Sequence, residues 1–309
     1  MNKNPIITIG ITAFNDWKYL MKAIESVIQQ TSNNWKGVLI LDGECDKKTK
    51  KIFDNFYHSH FKKYSFTENQ GPPKTREKAI ELCETEWYYH LDGDDLLPVN
   101  SIKLIIKAIN DNPNADFVYG NCEHFSRSKS MTREPIEDTE YLSYGPLFNT
   151  QSPIKKNLFY RLNGFDKNKN LIMNFDWDFW ITVFENKIKG IRIDSTIYKR
   201  RNRKNNIGNR KIHLGPKSVD YIVKKHPLYF NTTNRINIAK FNVYEKLARY
   251  YKAQGNRNLA YEWAKKAVEL GDSHEGLENI FTEKNMSIAR YKLRRFARYC
   301  TILINKFFK

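Results

Sequence analysis

The sequence holds only four cysteines, Cys45, Cys83, Cys122 and Cys300, and no two of them form a CxxC pair. That excludes a zinc ribbon and a disulfide framework, and it fits a reducing compartment. No apolar run approaches the roughly 20 residues of a membrane span. The apolar stretch after Pro5 is broken at Asn15-Asp16, so no signal peptide is read there. These absences predict a cytoplasmic protein, soluble or peripheral on the inner face of the cytoplasmic membrane. Acid is also in short supply: 34 Asp and Glu face 52 Lys and Arg, a net charge of +18. Two stretches lack acid entirely, one carrying Lys199, Arg200, Arg201, Arg203, Lys204, Arg210 and Lys211, the other running from Arg290 to Lys309. Such clusters point to phosphate-bearing partners: nucleotide, nucleic acid or anionic lipid.

What is present is a core. Hydrophobic residues make up 40% of the 309 and aromatics 14%, which predicts a globular chain of about two domains. Ile6 to Ala13 is a β-branched run, and Leu20, Ala23, Ile24, Val27 and Ile28 recur at helical spacing. Val38 to Leu41, Tyr64 to Thr67, Trp87 to Leu91 and Phe117 to Tyr119 read as further strands. Polar helices fall between them, from about Asp46, from Lys74 to Cys83 and from Asn100 to Asn110. Alternation at this spacing predicts an α/β fold with a doubly wound, mostly parallel sheet, its strand C-termini along one edge. Ser126 to Thr150 is irregular, Ile154 to Leu162 reads as helix, Phe175 opens an amphipathic helix, and Ile191 to Tyr198 reads as strand.

The boundaries read from this pattern are a catalytic domain over 1–215, a helical region over 216–285 and a last helix over 286–309. Leu247, Ala248, Tyr251, Gly255, Ala260, Ala264 and Ala267 have the spacing of a helix pair turning at Gly255-Asn256, which resembles one tetratricopeptide repeat. From Met286 onward, Ala289, Leu293, Phe296, Cys300, Leu303 and Phe307 form an apolar stripe with a basic opposite face. That pattern suits an anionic membrane surface, a partner, or the protein's own helices.

The segment Trp87-Tyr-Tyr-His-Leu-Asp-Gly-Asp-Asp95 carries the chemistry. An apolar strand ends in three carboxylates around Gly93, which removes side-chain bulk and backbone restriction so that Asp92 and Asp94 turn toward one point. Hard cations such as Mn²⁺ or Mg²⁺ prefer these oxygen ligands and share them with a substrate phosphate. A plain strand-end turn would use the same residue types. Asn15 and Asp42 fall at two other strand ends of the same edge, which favours a site. His90 is expected to point away from the neighbours of Asp92, as a hydrogen-bonded core histidine.

Taken together, Ile9-Gly-Ile-Thr-Ala-Phe-Asn15, Leu41-Asp-Gly-Glu-Cys-Asp46, Asn69-Gln-Gly71 with Arg76, Leu91-Asp-Gly-Asp-Asp95, Tyr119-Gly-Asn121, and Gly164-Phe-Asp166 followed by Asp176-Trp-Asp178-Phe-Trp180 resemble the family-two, inverting glycosyltransferases of GT-A fold. The resemblance covers about residues 5 to 205. It implies a nucleotide diphosphate sugar as donor, a UDP-sugar being the common case, and a saccharide or lipid-linked saccharide as acceptor in bacterial surface glycan assembly. By the same resemblance Asp94 holds the cation, with Asp92 as ligand or ribose contact beside Gly93. Thr12, Phe14, Asn15 and Asp42 line the nucleotide pocket, and Arg76 contacts the diphosphate. Asp176 is the general base, with Asp178 as the alternative and a helix cap as the competing role. Arg200 and Arg201 are candidates to close over the diphosphate, and His213 is a candidate third metal ligand. Three positions depart from the family pattern: Thr12 replaces a proline, Phe175 a glutamate, and Glu77 an asparagine.

Two other classes remain open at this stage. A nucleotidyltransferase uses similar strand-end acids but needs a glycine-rich basic loop after the first strand, where this chain has Asn15-Asp16-Trp17. A basic non-enzymatic binding or scaffold protein would explain the charge, yet the carboxylate edge repels a phosphate backbone and no nucleic-acid motif is present.

Overall fold

The computed structural model describes residues 5–126, 128–135, 138–146, 151–203 and 210–271, together with Leu277 and Ile280. The chain divides into two compact units, Met1–Leu142 with Pro146–Lys204, and Ser143–Gly145 with Asn205–Lys309.

The first unit alternates strand and helix: β1 (Ile7–Ala13), α1 (Leu20–Ile28), β2 (Trp35–Leu41), α2 (Lys47–Asn55), β3 (Phe61–Ser65), α3 (Pro72–Glu81), β4 (Trp87–Asp92), α4 (Ser101–Asp111), β5 (Phe117–Phe125), β6 (Ser130–Arg133), β7 (Ile154–Lys155), α5 (Lys156–Arg161), α6 (Phe175–Glu185) and β8 (Gly190–Arg201). The sheet order is β3-β2-β1-β4-β7-β5-β6, and β8 pairs with β5. β1 is parallel to β2 and β4, and β2 is parallel to β3. β7 is antiparallel to both β4 and β5, so β5 and its parallel partner β8 run in the direction of β4. Only β6 and β7 oppose the rest. The C-terminal ends of β1, β2 and β4 therefore lie side by side.

Burial explains the strands. Ile7, Ile9 and Ile11 face one side of β1 and are fully buried, and Thr8 on the other side is buried as well. A strand covered on both faces is what parallel sheets require. Helix α1 buries Leu20, Ala23, Ile24 and Val27, and each large apolar side chain contributes about 1.5–3 kcal/mol. Ile28, expected on that stripe, is 38% exposed because it lies past its edge.

Several local expectations need correction. β3 starts at Phe61, ahead of the predicted Tyr64, because the Phe61 ring occupies the space left by Gly37 on β2. α3 begins at Pro72, since proline suits a first helical turn. The predicted helix from Ile154 opens as a two-residue strand wedged between β4 and β5. β5 extends through Phe125, pairing with β8 along its whole length.

In the second unit, α7 (Gly215–Lys225), α8 (Thr233–Ala253) and α9 (Arg257–Glu269) follow a 3₁₀ turn at Ile212–Leu214. Phe241 and Ala248 of α8 pack against Ala260, Ala264 and Ala267 of α9. Gly255 takes a φ of +76° at the turn, and Asn256 caps α9 by accepting from Leu259 N at 3.1 Å. The pair thus turns where the spacing predicts. The helix expected over 286–309 lies outside the described residues.

Candidate functional site

The acid loop Asp92-Gly93-Asp94-Asp95 follows β4 directly, beside the end of β1. Gly93 N donates to Thr12 O at 2.8 Å. A Cβ on Gly93 would stand 2.9 Å from Thr12 O and 3.2 Å from Asp16 Oδ2. Glycine is needed here for close approach; its φ is not in the left-handed region, so the expected backbone freedom is not what selects it.

Asp92 is committed to protein partners. Its carboxylate accepts from Arg76 Nη2 at 2.9 and 3.1 Å, from His90 Nε2 at 2.8 Å and from Gln151 Nε2 at 2.9 Å. Burial would raise the Asp92 carboxyl, but the Arg76 charge and the His90 contact hold it well below the usual range. His90 is the buried, hydrogen-bonded core histidine expected from the sequence. Two positions along a strand return to the same face, so its ring meets the carboxylate of Asp92 itself. Burial and Arg76 press its imidazole down to about 4, so it is neutral. Its Nε2–H donates to Asp92, and Nδ1 accepts from Tyr88 OH at 3.1 Å.

Asp94 and Asp95 divide differently. Asp95 accepts from Tyr198 OH at 2.8 Å and from Arg201 N at 2.6 Å, which makes it a structural acid. Arg201 also donates from Nε to the Asp94 carbonyl at 2.7 Å. Asp94 turns its carboxylate to Arg203, with Oδ2 2.5 Å from Nε. Arg203 Nη1 donates in addition to Asp16 Oδ1 at 3.0 Å. Burial, with the charges of Asp92 and Asp16, pushes the Asp94 carboxyl up to about 7 despite Arg203.

The remaining candidates surround this loop. Asp42, 5% exposed, accepts from Gln70 N at 2.7 Å, Gly71 N at 3.0 Å and Asn69 Nδ2 at 3.1 Å. It clasps the loop that leads into α3, so a donor contact through Asp42 would come on top of these bonds. Asn15, at φ +58°, accepts from Asp46 N at 2.6 Å and joins the ends of β1 and β2. Phe14 is half-buried, and its N–H goes to Asp16 Oδ2 at 3.0 Å. Arg76 lies over the Phe175 ring, 5.1 Å from its centroid. Burial would lower the guanidinium, but the charges of Asp92 and Asp176 outweigh it. Asp176 is half-buried in the first turn of α6, while Asp178 is 1% exposed. Arg200 is exposed on β8, and His213 belongs to the 3₁₀ turn of the second unit.

Sequence reasoning passed over Asp16, Gln151, Tyr198 and Arg203 as site residues. Arg203 and Asp16 stand 187 positions apart, so nothing local marks their pairing. The basic run around Arg203 was visible only as a cluster.

Among the described residues no group of three or more His, Cys, Asp or Glu side chains forms a metal cage. The loop still suits Mn²⁺ or Mg²⁺. Three carboxylates, Asp16, Asp92 and Asp94, meet two guanidinium groups, Arg76 and Arg203, while Asp95 is held by Tyr198 OH and Arg201 N. Asp92 is taken up by protein partners, and Asp94, paired with the partly exposed Arg203, is the side chain that could hold such a cation.

Comparison with known proteins bears on the chain and its fold. A 241-residue stretch is 24% identical to an uncharacterised glycosyltransferase of Methanocaldococcus jannaschii, over 73% of this chain and 77% of that one. The fold is similar to a crystal structure of S. aureus TarS 1-349 in complex with UDP-GlcNAc, with a TM-score of 0.60 at 12% identity over 91% of this chain and 93% of that one. It is also similar to a mannosyltransferase from Pyrobaculum calidifontis in complex with GDP-Man and Mn²⁺, with a TM-score of 0.57 at 14% identity, covering 96% and 85%. The family description "Glycosyl transferase family 2" matches residues 8–182. Because that match runs from β1 into α6, through the ends of β1, β2 and β4 and more than half of the 309 residues, the chain belongs to glycosyl transferase family 2.

Proposed function

We propose that this enzyme moves a hexosyl or N-acetylhexosaminyl group from a nucleoside diphosphate sugar, a UDP-sugar first among the candidates, to a hydroxyl of a saccharide or lipid-linked saccharide. The transfer inverts the anomeric centre and serves the assembly of a bacterial surface glycan. The observation that carries this is the acid loop itself: Asp92 is held inside the protein by Arg76, His90 and Gln151, whereas Asp94 meets an arginine, Arg203, that stays partly exposed. UDP-GlcNAc bound to TarS, and GDP-Man with Mn²⁺ bound to the mannosyltransferase, support a nucleotide-sugar donor.

In the transfer, the acceptor oxygen bonds to the anomeric carbon while the bond to the β-phosphate oxygen breaks, and that electron pair leaves with the diphosphate. Asp94 would hold the divalent cation, which when bound would supply charge neutralisation for the leaving group. Thr12, Phe14 and Asn15 border the nucleotide, and Asp42 holds the loop that aims α3. Arg76, fixed by Asp92, sets a positive charge beneath the sugar-phosphate side. Asp176 takes the acceptor proton, a role for which half-exposure suits it better than the closed-off Asp178.

The test is a thermal-shift panel of nucleotide sugars with and without Mn²⁺, followed by transfer assays. The expected result is Mn²⁺-dependent stabilisation by one nucleoside diphosphate class, absent in Asp94→Ala. Asp176→Asn should lower kcat by roughly 10²–10⁴-fold with little change in donor KM. No response to any nucleotide, together with full activity in Asp94→Ala, would overturn the proposal.

A further inference from the structure

Asp94 already faces a cation, and that cation belongs to the protein. Arg203 reaches Asp94 with Nε at 2.5 Å and Asp16 with Nη1 at 3.0 Å, so one guanidinium bridges the loops after β1 and β4. The two carboxylates are nearly closed off, at 8% and 14% exposure, whereas Arg203 remains 31% exposed. Arg203 is not needed to hold the loop backbone. Arg201 does that, through its amide to Asp95 and its Nε to the Asp94 carbonyl, and Tyr198 adds a second tie. Among the described residues the polar contacts of Arg203 go to the side-chain carboxylates of Asp94 and Asp16, which are the atoms that a metal ion would require.

We propose that Arg203 is the resident counter-ion of the Asp94–Asp16 pair and competes with a divalent cation for Asp94 until a diphosphate takes over its guanidinium. This rests on Asp94 being the cation-holding residue. A guanidinium and a divalent ion on one carboxylate repel each other strongly in a half-buried site. An anion between them removes that conflict, and a diphosphate is the anion a planar guanidinium matches with two parallel hydrogen bonds. Arginine is required here because a lysine ammonium does not span two carboxylates as a fork. The consequence is positive coupling: cation and nucleotide bind weakly alone and tightly together. Arg203 is thus a positioning residue that sets the order in which the site fills.

The experiment is a Mn²⁺ titration of the full chain without nucleotide, read by the electron paramagnetic resonance signal of free Mn²⁺. Arg203→Gln should bind Mn²⁺ about tenfold more tightly than the unmodified protein. Adding UDP should close that gap. Arg192→Gln, which removes a charge paired with Glu134 and Asp194 instead, should titrate like the unmodified protein. Equal or weaker Mn²⁺ binding by Arg203→Gln overturns the proposal, as does equal tightening in Arg192→Gln or a gap that UDP leaves open. Mn²⁺ binding that Asp94→Asn leaves untouched overturns the assignment of Asp94, and the competition with it.

Discussion

His90 shows how one buried side chain ties protonation to folding. Tyr88 OH, His90 and Asp92 form a chain of two hydrogen bonds at the top of β4. Gly10 on the neighbouring strand leaves the space that the Tyr88 ring fills. The imidazole is held at about 4 in the folded protein, against 6.5 as its ordinary value. Above pH 6.5 it is neutral in both states, so its folded arrangement contributes fully. Between pH 6.5 and 4 the unfolded chain takes up the proton and the folded one does not, so that contribution is lost as pH falls. At 1.36 kcal/mol per unit the loss is about 3 kcal/mol at most. Asp94, whose carboxyl is raised to about 7, acts in the opposite direction, contributing stability at low pH that is lost as pH rises. The comparison that isolates His90 is therefore the difference between the protein and His90→Asn. Urea unfolding from pH 7 to 4 should show that difference shrinking as pH falls; a constant difference would contradict the neutral, buried assignment.

Among elements, β8 does the most to fix the acid loop. Its Tyr198 OH accepts from Asp92 N at 3.2 Å and donates to Asp95 at 2.8 Å, so a strand ends by gripping the loop after another. Tyr198→Phe should leave the buried Asp95 one partner short and cost about 1–3 kcal/mol in urea unfolding. It should also weaken Mn²⁺-dependent donor binding without touching a donor atom. This grip was not legible beforehand. β1, β2 and β4 were, because their β-branched and aromatic runs can only be buried strands, and the acids at their ends stood out by contrast. The segment Ile154-Lys-Lys-Asn-Leu-Phe159 has local helical character, and its first two residues become β7 only because β4 and β5 flank them. Asp42 and Asn15 were found as strand-end polar residues. Their hydrogen bonds to the Asn69–Gly71 loop and to Asp46 depend on partners that no spacing rule identifies.

At the scale of the whole molecule, the +18 charge is the property still in need of a place. No helix among the described residues is long and apolar enough to cross a membrane. The basic, amphipathic pattern read from 286–309 suits an anionic surface, a partner or the protein's own helices, and the first of these is open to a direct test. Deleting those residues should cut co-sedimentation with phosphatidylserine-containing vesicles, most clearly at low salt. Sedimentation that survives the deletion would remove the surface role. The Arg203–Asp16 ion pair, spanning 187 positions, has a further consequence for how the chain is made. During synthesis β1, β2 and β4 leave the ribosome well before β8, so Asp16 and Asp94 emerge with their partner still untranslated. A nascent chain that has reached only α6 has Arg76 for Asp92 but no guanidinium yet for Asp16 and Asp94. Domains generally assemble in the order of their synthesis, and here the last strand to arrive brings the charge that balances the first.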